Sequence, residues 1–260
     1  MIITSKDNPA VKQAKKLVSN QLARKNENLF VTEGLRLCRD AAQSGGAIHT
    51  AFMTPSFAEQ NSADAALLQS VAAQVLVVSD GVLQHLTDTQ TPQGVLCLCK
   101  KPAFSALPQT AGRFVVLENV SDPANVGAIA RTAEALGVDG LFLSGGCDAY
   151  HPKALRASMG ALLRLPVYEA PIDQILSHLK GLQVTIYAAV VYDADDTVSN
   201  TCFPAACAVV IGNEANGITP DTAAACDTKI TIPMAGRAES LNAAAAACIL
   251  LWEMTGRGEN

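Results

Sequence analysis

The sequence is poor in aromatic residues and contains no long apolar run. Aromatic residues make up 5% of the 260 residues and apolar residues 49%, so Ala, Val, Leu and Ile must fill the core. The longest apolar run, Ala243 to Trp252, covers ten residues and falls short of the ~18 that a membrane span needs. The N-terminus from Met1 to Asp7 lacks the apolar segment and cleavage site of a secretory signal. The sequence therefore predicts a cytoplasmic protein with no membrane contact.

The eight cysteines form no pattern typical of a metal site. They stand at positions 38, 97, 99, 147, 202, 207, 226 and 248, without a Cys-x-x-Cys pair and without a histidine cluster. A zinc site requires soft ligands that lie close together. Cys97 and Cys99 alternate within a strand-like segment and would share one face of it. We expect no bound metal, and we expect the cysteines to be buried, reduced thiols.

The chain also lacks the net positive charge of proteins that coat nucleic acids. Its net charge is −5, but residues 1–40 hold eight basic and four acidic groups, which leaves +4 there and −9 across the rest. A basic end on an acidic body suits contact with phosphates at one place. A solvated, charged helix face would give the same pattern. The candidate RNA contacts are Lys6, Lys12, Lys15, Lys16, Arg24 and Lys25.

A segment without periodicity divides the chain. Residues 100–112 contain Pro102, Pro108 and Gly112 and are typical of a linker. Before it, helix-like and strand-like patterns alternate over residues 1–105, which we interpret as a small α/β N-terminal domain. After it, short apolar runs alternate with helix-like stretches over residues 113–260. This alternation predicts an α/β domain with a mostly parallel sheet whose strands are buried on both faces.

The predicted elements follow from these patterns. In the N-terminal domain they are helices at 11–20 and 35–42 and strands at 30–32, 75–78 and 95–98. In the C-terminal domain the predicted strands are 114–117, 140–144, 184–190, 208–211 and 229–232. The predicted helices are 126–136, 153–160, 172–180, 220–225 and 241–254. Because ligands of parallel sheets bind at the carboxyl ends of strands, the residues that follow these strands are site candidates.

Polar residues follow the first strand of the C-terminal domain. The strand that ends at Leu117 leads through a turn into a helix that carries Asn125, Gly127 and Arg131. Asn125 is suited to cap that helix, and Gly127 permits the close approach of another backbone. Arg131 stands among alanines, which suggests a guanidinium fork that binds phosphate or carboxylate. An arginine on the exposed face of an amphipathic helix would look the same.

Two later strands end in similar polar segments. The strand at 208–211 is followed by Gly212, Asn213 and Glu214 and then by an Asn-Gly turn. A tight turn explains the Asn-Gly pair, but it does not explain a carboxylate directly after a buried strand. The strand at 229–232 leads through a short loop to Ser240, which is suited to cap the last helix. Asn242 would then lie in the first turn of that helix.

These three segments resemble the three motifs of the SpoU family, also called the TrmH family, of SPOUT-class methyltransferases. The resemblance rests on Asn125…Gly127…Arg131, on Gly212-Asn213-Glu214…Gly217 and on Ile232-Pro233-Met234…Ser240-Leu241-Asn242. The segments 5–9, 30–34 and 91–95 are similar to the family's RNA-binding domain, so the resemblance spans nearly the whole chain. The chain departs from the family at Ala215, where glycine is frequent, and at 243–247, where alanines replace frequent valines.

The resemblance implies an S-adenosyl-L-methionine-dependent enzyme that methylates a ribose 2′-hydroxyl of RNA. It implies a deep trefoil knot in the parallel-sheet domain, which general rules of chain topology would not predict. It also implies a homodimer formed through the C-terminal domain. The implied cofactor-binding residues are Leu117, Gly212, Asn213, Glu214, Gly217, Ile232, Met234, Ser240 and Leu241. The implied catalytic residues are Arg131, Asn125, Glu214, Ser240 and Asn242.

The role of Arg131 stays open at this point. The resemblance makes it the central catalytic residue, either as a general base or as the group that anchors a phosphate and stabilises the developing alkoxide. A guanidinium keeps its proton below a pH of about 12, which disfavours the first role. Glu214 would orient Arg131 or a water molecule that accepts the proton.

Other functions fit the sequence less well. A dinucleotide-dependent oxidoreductase requires Gly-x-Gly-x-x-Gly after its first strand, and Gly145-Gly146 lacks that spacing. A non-catalytic RNA-binding protein of the same fold would be expected to lose Arg131 or the run from Ser240 to Asn242, and both are present. Among RNA substrates, ribosomal RNA is preferred over transfer RNA, because the separate N-terminal domain resembles that of the family's ribosomal RNA members. The identity of the methylated nucleotide stays open.

Overall fold

The computed structural model describes residues 1–102 and 107–256. The chain forms two compact units, Met1–Ala103 with Tyr150–Arg164 and Phe104–Ala149 with Leu165–Asn260, called here the N-terminal and the C-terminal unit. The predicted linker covers residues 100–112, of which 103–106 lie outside the described residues. The predicted domain end at residue 105 and the last four residues of the predicted second domain, 257–260, also lie outside them.

Helices and strands alternate along the chain. The strands are β1 (Leu29–Glu33), β2 (Ile48–Met53), β3 (Gln74–Val77), β4 (Val95–Lys100), β5 (Arg113–Glu118), β6 (Gly140–Ser144), β7 (Val167–Glu169), β8 (Thr185–Ala189), β9 (Asp196–Thr197), β10 (Cys207–Ile211) and β11 (Thr228–Thr231). The helices are α1 (Pro9–Ser19), α2 (Gln21–Glu27), α3 (Leu35–Gln43), α4 (Pro55–Gln60), α5 (Ser62–Val71), α6 (Asp80–Leu86), α7 (Pro123–Ala135), α8 (Pro152–Ser158), α9 (Ile172–Gly181), α10 (Pro220–Ala225) and α11 (Ala243–Met254). A short 3₁₀ helix covers Ala161–Leu163.

The N-terminal unit contains a mixed sheet of four strands in the order β1-β4-β2-β3. Strand β4 pairs antiparallel with β1 and β2, whereas β3 pairs parallel with β2. Apolar residues of the sheet cluster with those of α1 and α6, among them Val11, Leu17, Phe52 and Leu83. The helical spacing of Val11, Ala14, Leu17 and Val18 buries this face of α1, as the sequence predicted.

Arg24 is buried, contrary to its prediction as an RNA contact. Its side chain is 1% exposed, and its Nη1 atom donates hydrogen bonds to the carbonyl oxygens of Leu17 (2.7 Å) and Val18 (3.2 Å). These carbonyls lie at the C-terminal end of α1, where helical hydrogen bonding leaves acceptors and favours a positive charge. The prediction is therefore wrong for Arg24, whose guanidinium stabilises the end of α1.

Residues 150–164 belong to the N-terminal unit although they come late in the chain. The Arg156 Nη1 atom of α8 lies 3.4 Å from the carboxylate of Glu33 at the end of β1. The rings of Tyr150 and Phe30 pack with their centroids 4.9 Å apart. The helix predicted at 153–160 is observed at Pro152–Ser158, but nothing in the sequence indicated that it packs with the first hundred residues.

The C-terminal unit is built on a parallel sheet of seven strands in the order β7-β6-β5-β10-β8-β11-β9. From β5 the chain proceeds outward through β6 to β7, and the later strands lie on the other side of β5. The order therefore reverses between β5 and β10, whose last paired residues are Leu117 and Ile211. The carboxyl edge at such a reversal is where parallel sheets bind ligands.

Burial on both faces explains the apolar composition of the central strands. All five residues of β10 are buried, as are the last five of β5. This confirms the predicted α/β class and its parallel sheet. The three strands that the sequence patterns missed are β2 and the short edge strands β7 and β9, which have three and two residues.

The cysteines are only partly buried. All eight are free thiols; Cys38, Cys97, Cys99 and Cys207 are buried. Cys202 and Cys248 are exposed, so the prediction of buried thiols is wrong for these two. In the described parts of the chain, no helix is both long and apolar enough to cross a membrane. Within the same residues, no three His, Cys, Asp or Glu side chains gather as metal ligands.

Candidate active site

The carboxylate of Glu214 lies at the carboxyl edge of the sheet and binds the loop that follows β5. Its Oε1 atom accepts hydrogen bonds from the Asp122 N–H (3.2 Å) and from Asn125 Nδ2 (2.8 Å). Its Oε2 atom accepts from the N–H (3.1 Å) and the hydroxyl (3.0 Å) of Ser121. Glu214 therefore joins the segments that follow two neighbouring strands, β10 and β5.

These donors set the protonation state of Glu214. Partial burial raises the pKa of this carboxyl, but hydrogen bonds from the Asn125 side chain and from the backbone N–H groups of Glu214, Ser121 and Asp122 together outweigh it and lower the pKa to about 2. Donors that bind the ionised form stabilise it. Because a carboxylate with so low a pKa is a weak base at neutral pH, Glu214 is suited to position its neighbours and not to accept a proton.

Asn125 connects Glu214 to the last helix. Its Nδ2 atom donates to Glu214, and its Oδ1 atom accepts a hydrogen bond from Asn242 Nδ2 (3.0 Å). Asn125 is buried within α7, so the prediction that it caps this helix is wrong. Asp122 occupies the capping position, directly before Pro123.

Asn242 caps α11 and completes the connection. Its Oδ1 atom accepts hydrogen bonds from the N–H groups of Ala244 (2.9 Å) and Ala245 (3.4 Å). Ser240, which the sequence predicted as the cap, lies two residues earlier in the loop. Glu214, Asn125 and Asn242, called here the polar network, therefore link the segments that follow β10, β5 and β11.

The loop after β10 folds back on itself at two glycines. Asn213 and Gly217 exchange backbone hydrogen bonds of 3.0 and 2.8 Å. Gly217 has a φ of +68°, a conformation that glycine adopts without strain. A Cβ atom on Gly212 would collide with the backbone of Gly217. Both glycines are therefore required for this turn, whose backbone lines the adjacent cavity.

A cavity of about 400 Å³ opens beside the polar network, a size suited to a small-molecule ligand. The segments after β8, β10 and β11 line it together with α11. The predicted cofactor-binding residues found in its wall are Gly212, Asn213, Glu214, Gly217, Ile232, Met234, Ser240 and Leu241. Leu117 does not line the cavity, because its side chain is buried within β5.

Sequence reasoning missed one wall of this cavity. Val190, Val191 and Tyr192 follow β8 and line it. They belong to the site because β8 lies next to β10, so that their carboxyl ends meet. The signal in the sequence is an apolar segment that continues past the end of β8 to Tyr192. In the structure, Tyr192 is 69% exposed.

A second carboxylate at the same edge was also missed. Glu118, the last residue of β5, is buried and accepts hydrogen bonds from the N–H and the hydroxyl of Thr219, both at 2.9 Å. It also accepts one from the hydroxyl of Thr222 (2.7 Å). Thr219 caps α10, so Glu118 fixes the start of that helix beside the loop that contains Gly217.

Arg131 lies apart from the polar network. It is exposed on α7, and neither a hydrogen bond nor an ion pair joins its side chain to another described residue. Arg131 is six positions after Asn125 on the helix, which places the two side chains on different sides of it. The fold therefore brings Asn125, Glu214 and Asn242 together, whereas the Arg131 side chain is exposed at the surface of α7.

The residues around the cavity fit a ligand that combines an apolar ring system with a positive charge. Ile211, Ile230 and Leu250 form apolar walls, and Glu214 and Glu239 contribute negative charge. Among the described lining residues there is no lysine or arginine. S-adenosylmethionine carries an adenine ring and a cationic sulfonium, and both match this lining.

A ligand cavity at the carboxyl edge of a parallel sheet, next to the strand-order reversal, is typical of α/β enzymes that bind a nucleotide-like cofactor. Residues 112–252 match the SpoU rRNA Methylase family, and residues 8–97 match the MRM3-like substrate binding domain. The chain belongs to the SpoU rRNA methylase family, and it is an S-adenosylmethionine-dependent RNA 2′-O-methyltransferase. This confirms the family predicted from the three motifs.

The similarity to known proteins extends over both units. The chain is 33% identical to an uncharacterised tRNA/rRNA methyltransferase of Synechocystis sp., over 96% of this chain and 92% of the relative. It is 28% identical to the 23S rRNA (guanosine(2553)-2′-O)-methyltransferase RlmP of Bacillus subtilis, over 98% and 99%. The structure of an AdoMet-bound rRNA methyltransferase from Sinorhizobium meliloti matches with a TM-score of 0.88 and 29% identity, over 100% and 99%.

The turn at Gly212 yields a first prediction. Gly212→Ala should lower the affinity for S-adenosylmethionine by about tenfold or more. The new methyl group would collide with the backbone of Gly217 and so distort the turn that lines the cavity. Gly181→Ala, at the exposed end of α9 where no atom lies within 4 Å of the added Cβ, serves as the control. Isothermal titration calorimetry measures both variants. Unchanged binding by Gly212→Ala would show that the turn does not shape the cofactor site.

The pKa of Glu214 yields a second prediction. The folded state lowers this pKa from 4.5 to about 2, so the stabilisation is fully present above pH 4.5 and is lost as the pH falls toward 2. Urea unfolding should therefore show Glu214→Gln less stable than wild type by a constant amount between about pH 5 and 8. The difference should shrink from about pH 4.5 to 3. Glu59→Gln, an exposed residue of α4, should show no such pattern; a Glu214→Gln deficit that persists unchanged at pH 3 contradicts the assignment.

Proposed function

We propose that this chain methylates ribosomal RNA in the cytoplasm and acts as a homodimer. The observation that carries the proposal is the polar network, which joins three motif segments beside a cavity suited to S-adenosylmethionine. The match of residues 8–97 to a substrate binding domain supports an RNA-binding role for the predicted N-terminal domain, residues 1–105. The RlmP relative methylates 23S rRNA and is similar over its whole length, which favours ribosomal RNA. The Synechocystis relative, described for tRNA or rRNA, keeps transfer RNA as the alternative.

The reaction transfers a methyl group to the ribose 2′-oxygen. S-adenosylmethionine supplies an electrophilic methyl group when it is bound in the cavity. The turn from Gly212 to Gly217 and the segment Ser240–Leu241 would hold the cofactor, since they line the cavity. The polar network fixes the start of α7, and Arg131 lies further along the same helix, where it is exposed to solvent. Arg131 would bind an RNA phosphate in a bidentate manner and stabilise the charge that develops on the 2′-oxygen.

The proton of the 2′-hydroxyl requires another acceptor than Glu214. The pKa of Glu214 is lowered to about 2, so this carboxylate binds protons weakly at neutral pH. A guanidinium keeps its proton under the same conditions. We therefore assign the proton to water and assign positioning roles to Glu214, Asn125 and Asn242.

Phosphate contacts are assigned to the lysines of the first two helices and the preceding segment: Lys6, Lys12, Lys15, Lys16 and Lys25. Three of these lysines form ion pairs, with Nζ–carboxylate distances of 2.8 Å (Asp7), 3.8 Å (Asp88) and 3.5 Å (Glu27) for Lys12, Lys15 and Lys16. Exposed pairs of this kind contribute about 0–1 kcal/mol. Phosphate groups can therefore replace these carboxylates at low cost.

An exposed apolar stripe on α11 supports the homodimer. Ala245, Cys248, Ile249 and Trp252 follow helical spacing and are exposed, with Trp252 at 45% and Ile249 at 37%. A stripe that includes tryptophan is typical of a surface that is covered in an assembly. A second copy of the chain is the occupant that family membership favours. The deep trefoil knot implied by the family is likewise part of this proposal.

Arg131 yields the prediction that tests the proposed function. A strain that lacks this protein should lose one 2′-O-methylation in ribosomal RNA, and wild type should restore it. Arg131→Ala and Arg131→Lys should both fail to restore it, because an ammonium cannot reproduce a bidentate fork. Mapping 2′-O-methylation across total RNA measures the outcome, and S-adenosylmethionine affinity of the purified variants should stay within a few-fold of wild type.

Lys180→Ala is the control for this experiment, since it removes one exposed positive charge from α9 of the same unit. It should restore methylation fully. Restoration by Arg131→Lys would contradict the fork argument, and a methylation that disappears only from transfer RNA would contradict the choice of ribosomal RNA.

The apolar stripe of α11 yields a further prediction. Trp252→Glu should convert the dimer to a monomer, because burying a carboxylate in an apolar interface without a partner is costly. Sedimentation velocity measures the mass of the particle. Leu22→Glu, which changes an apolar residue that is 68% exposed in the N-terminal unit, should leave the mass unchanged. A Trp252→Glu protein that keeps the wild-type mass would rule out this stripe as the interface.

A further inference from the structure

The N-terminal unit contains a second large groove, which has no role in the proposed chemistry. Its volume is about 650 Å³, within the range of sites that bind small organic groups. Helix α4, helix α6 and residues 90–94 of the loop that follows α6 line it, together with Leu35 of α3. All of its lining residues belong to the N-terminal unit.

Side-chain amides dominate the polar lining of this groove. The amide residues are Gln60, Asn61, Gln84, Gln90 and Gln93. Three of them are held in place, because Gln93 Oε1 accepts from the Leu35 N–H (2.9 Å), Gln84 Nε2 donates to the Thr89 carbonyl (3.3 Å) and Asn61 Nδ2 donates to the Phe57 carbonyl (3.4 Å). Gln60 and Gln90 are exposed, and their side chains make no hydrogen bond with another described residue. Each amide offers both donors and acceptors to a ligand.

The groove is nearly neutral and has an apolar floor. Among the described residues that line it, Asp80 is ionisable and none is lysine or arginine. These lining residues therefore offer no positive charge that could bind a phosphate. Leu35, Phe57, Leu83 and Pro92 supply apolar surface between the amides. A flat, uncharged ring with hydrogen-bonding edges matches this combination, and an unpaired nucleobase is such a ring.

Basic residues lie beside the groove and not in it. Lys15 of α1 pairs with Asp88, in the loop that forms one wall. Burial, together with the positive charges of Lys15 and Lys6, lowers the pKa of His85, which follows the lining residue Gln84. A strand of RNA that runs along these lysines would therefore place its neighbouring bases at the groove.

We infer that this groove binds unpaired nucleobases of the RNA substrate through its side-chain amides, while the lysines of α1 hold the adjacent phosphates. The inference rests on the proposed function, because it takes RNA as the substrate. It adds that the N-terminal unit selects single-stranded or splayed-out nucleotides. Bases paired in a duplex have their Watson–Crick edges occupied and would not enter the groove.

The test compares binding of a fluorescein-labelled single-stranded RNA of about twelve mixed-sequence nucleotides with binding of the same strand in a duplex. The groove variant is Gln60→Ala/Gln90→Ala in the full chain. Its control is Gln69→Ala, an exposed glutamine on α5 outside the groove. A charge variant, Lys12→Gln/Lys16→Gln, reports on phosphate binding. Fluorescence anisotropy at several salt concentrations gives the affinities, and thermal unfolding verifies that each variant is folded.

The groove variant should bind the single strand about tenfold more weakly, the size of one or two base interactions. This weakening should be the same at each salt concentration, since no charge is removed, and the duplex should bind as to wild type. The charge variant should instead flatten the salt dependence, by roughly 0.7 in log–log slope for each phosphate that the protein no longer binds. The Gln69→Ala control should match wild type.

Two results would overturn the inference: unchanged single-strand affinity in the groove variant, or an equal weakening for single strand and duplex. These results are independent of the proposed function. Failure of the proposed function would appear as intact methylation in the deletion strain, whatever the oligonucleotide affinities are.

Discussion

The loops at the carboxyl edge of the seven-stranded sheet require acceptors for their backbone N–H groups, and two glutamates at the ends of adjacent strands supply them. Glu214 binds the N–H groups of Ser121 and Asp122, and Glu118 binds that of Thr219. Glu118 ends β5 and holds the loop that follows β10, whereas Glu214 follows β10 and holds the loop that follows β5. The start of α7, the start of α10 and the turn that lines the cavity all depend on these contacts, since a loop with unpaired N–H groups would not keep one conformation.

This arrangement separates positioning from chemistry. Asn125, Glu214 and Asn242 are bonded to one another and to helix starts, so their donors and acceptors are largely used within the protein. Arg131 has no such bonds to the described residues and stays exposed on the same α7 that the network fixes. In the proposed mechanism, the rigid groups help to define where the cofactor binds, and the exposed cation is the group that contacts RNA. Positioning of two reactants is a large part of what such a transfer requires.

The sequence predicted most of the C-terminal unit because strands buried on both faces are apolar throughout, as in β5 and β10. The predicted cap of α7 was Asn125 instead of Asp122, because both Asn and Asp commonly cap helices. The signal that distinguishes the two positions is Pro123, since proline is favoured at the first helical position and therefore directly follows the cap. Arg24 was misassigned because a count of charges does not reveal which side chain folds back onto the helix before it. The Val190–Tyr192 wall was missed because strand order, which local patterns do not contain, brings β8 beside β10.

Asn242 has a consequence for the order in which the enzyme becomes active. The same side chain caps α11 and bonds to Asn125, so the network is complete only when α11 has formed. Residues 243–254 must therefore have been synthesised and folded before the cavity gains its final shape. A chain in which α11 has not yet formed would have its proposed RNA-binding lysines but no finished cofactor site. The position of one asparagine thus makes the active site dependent on the folding of α11.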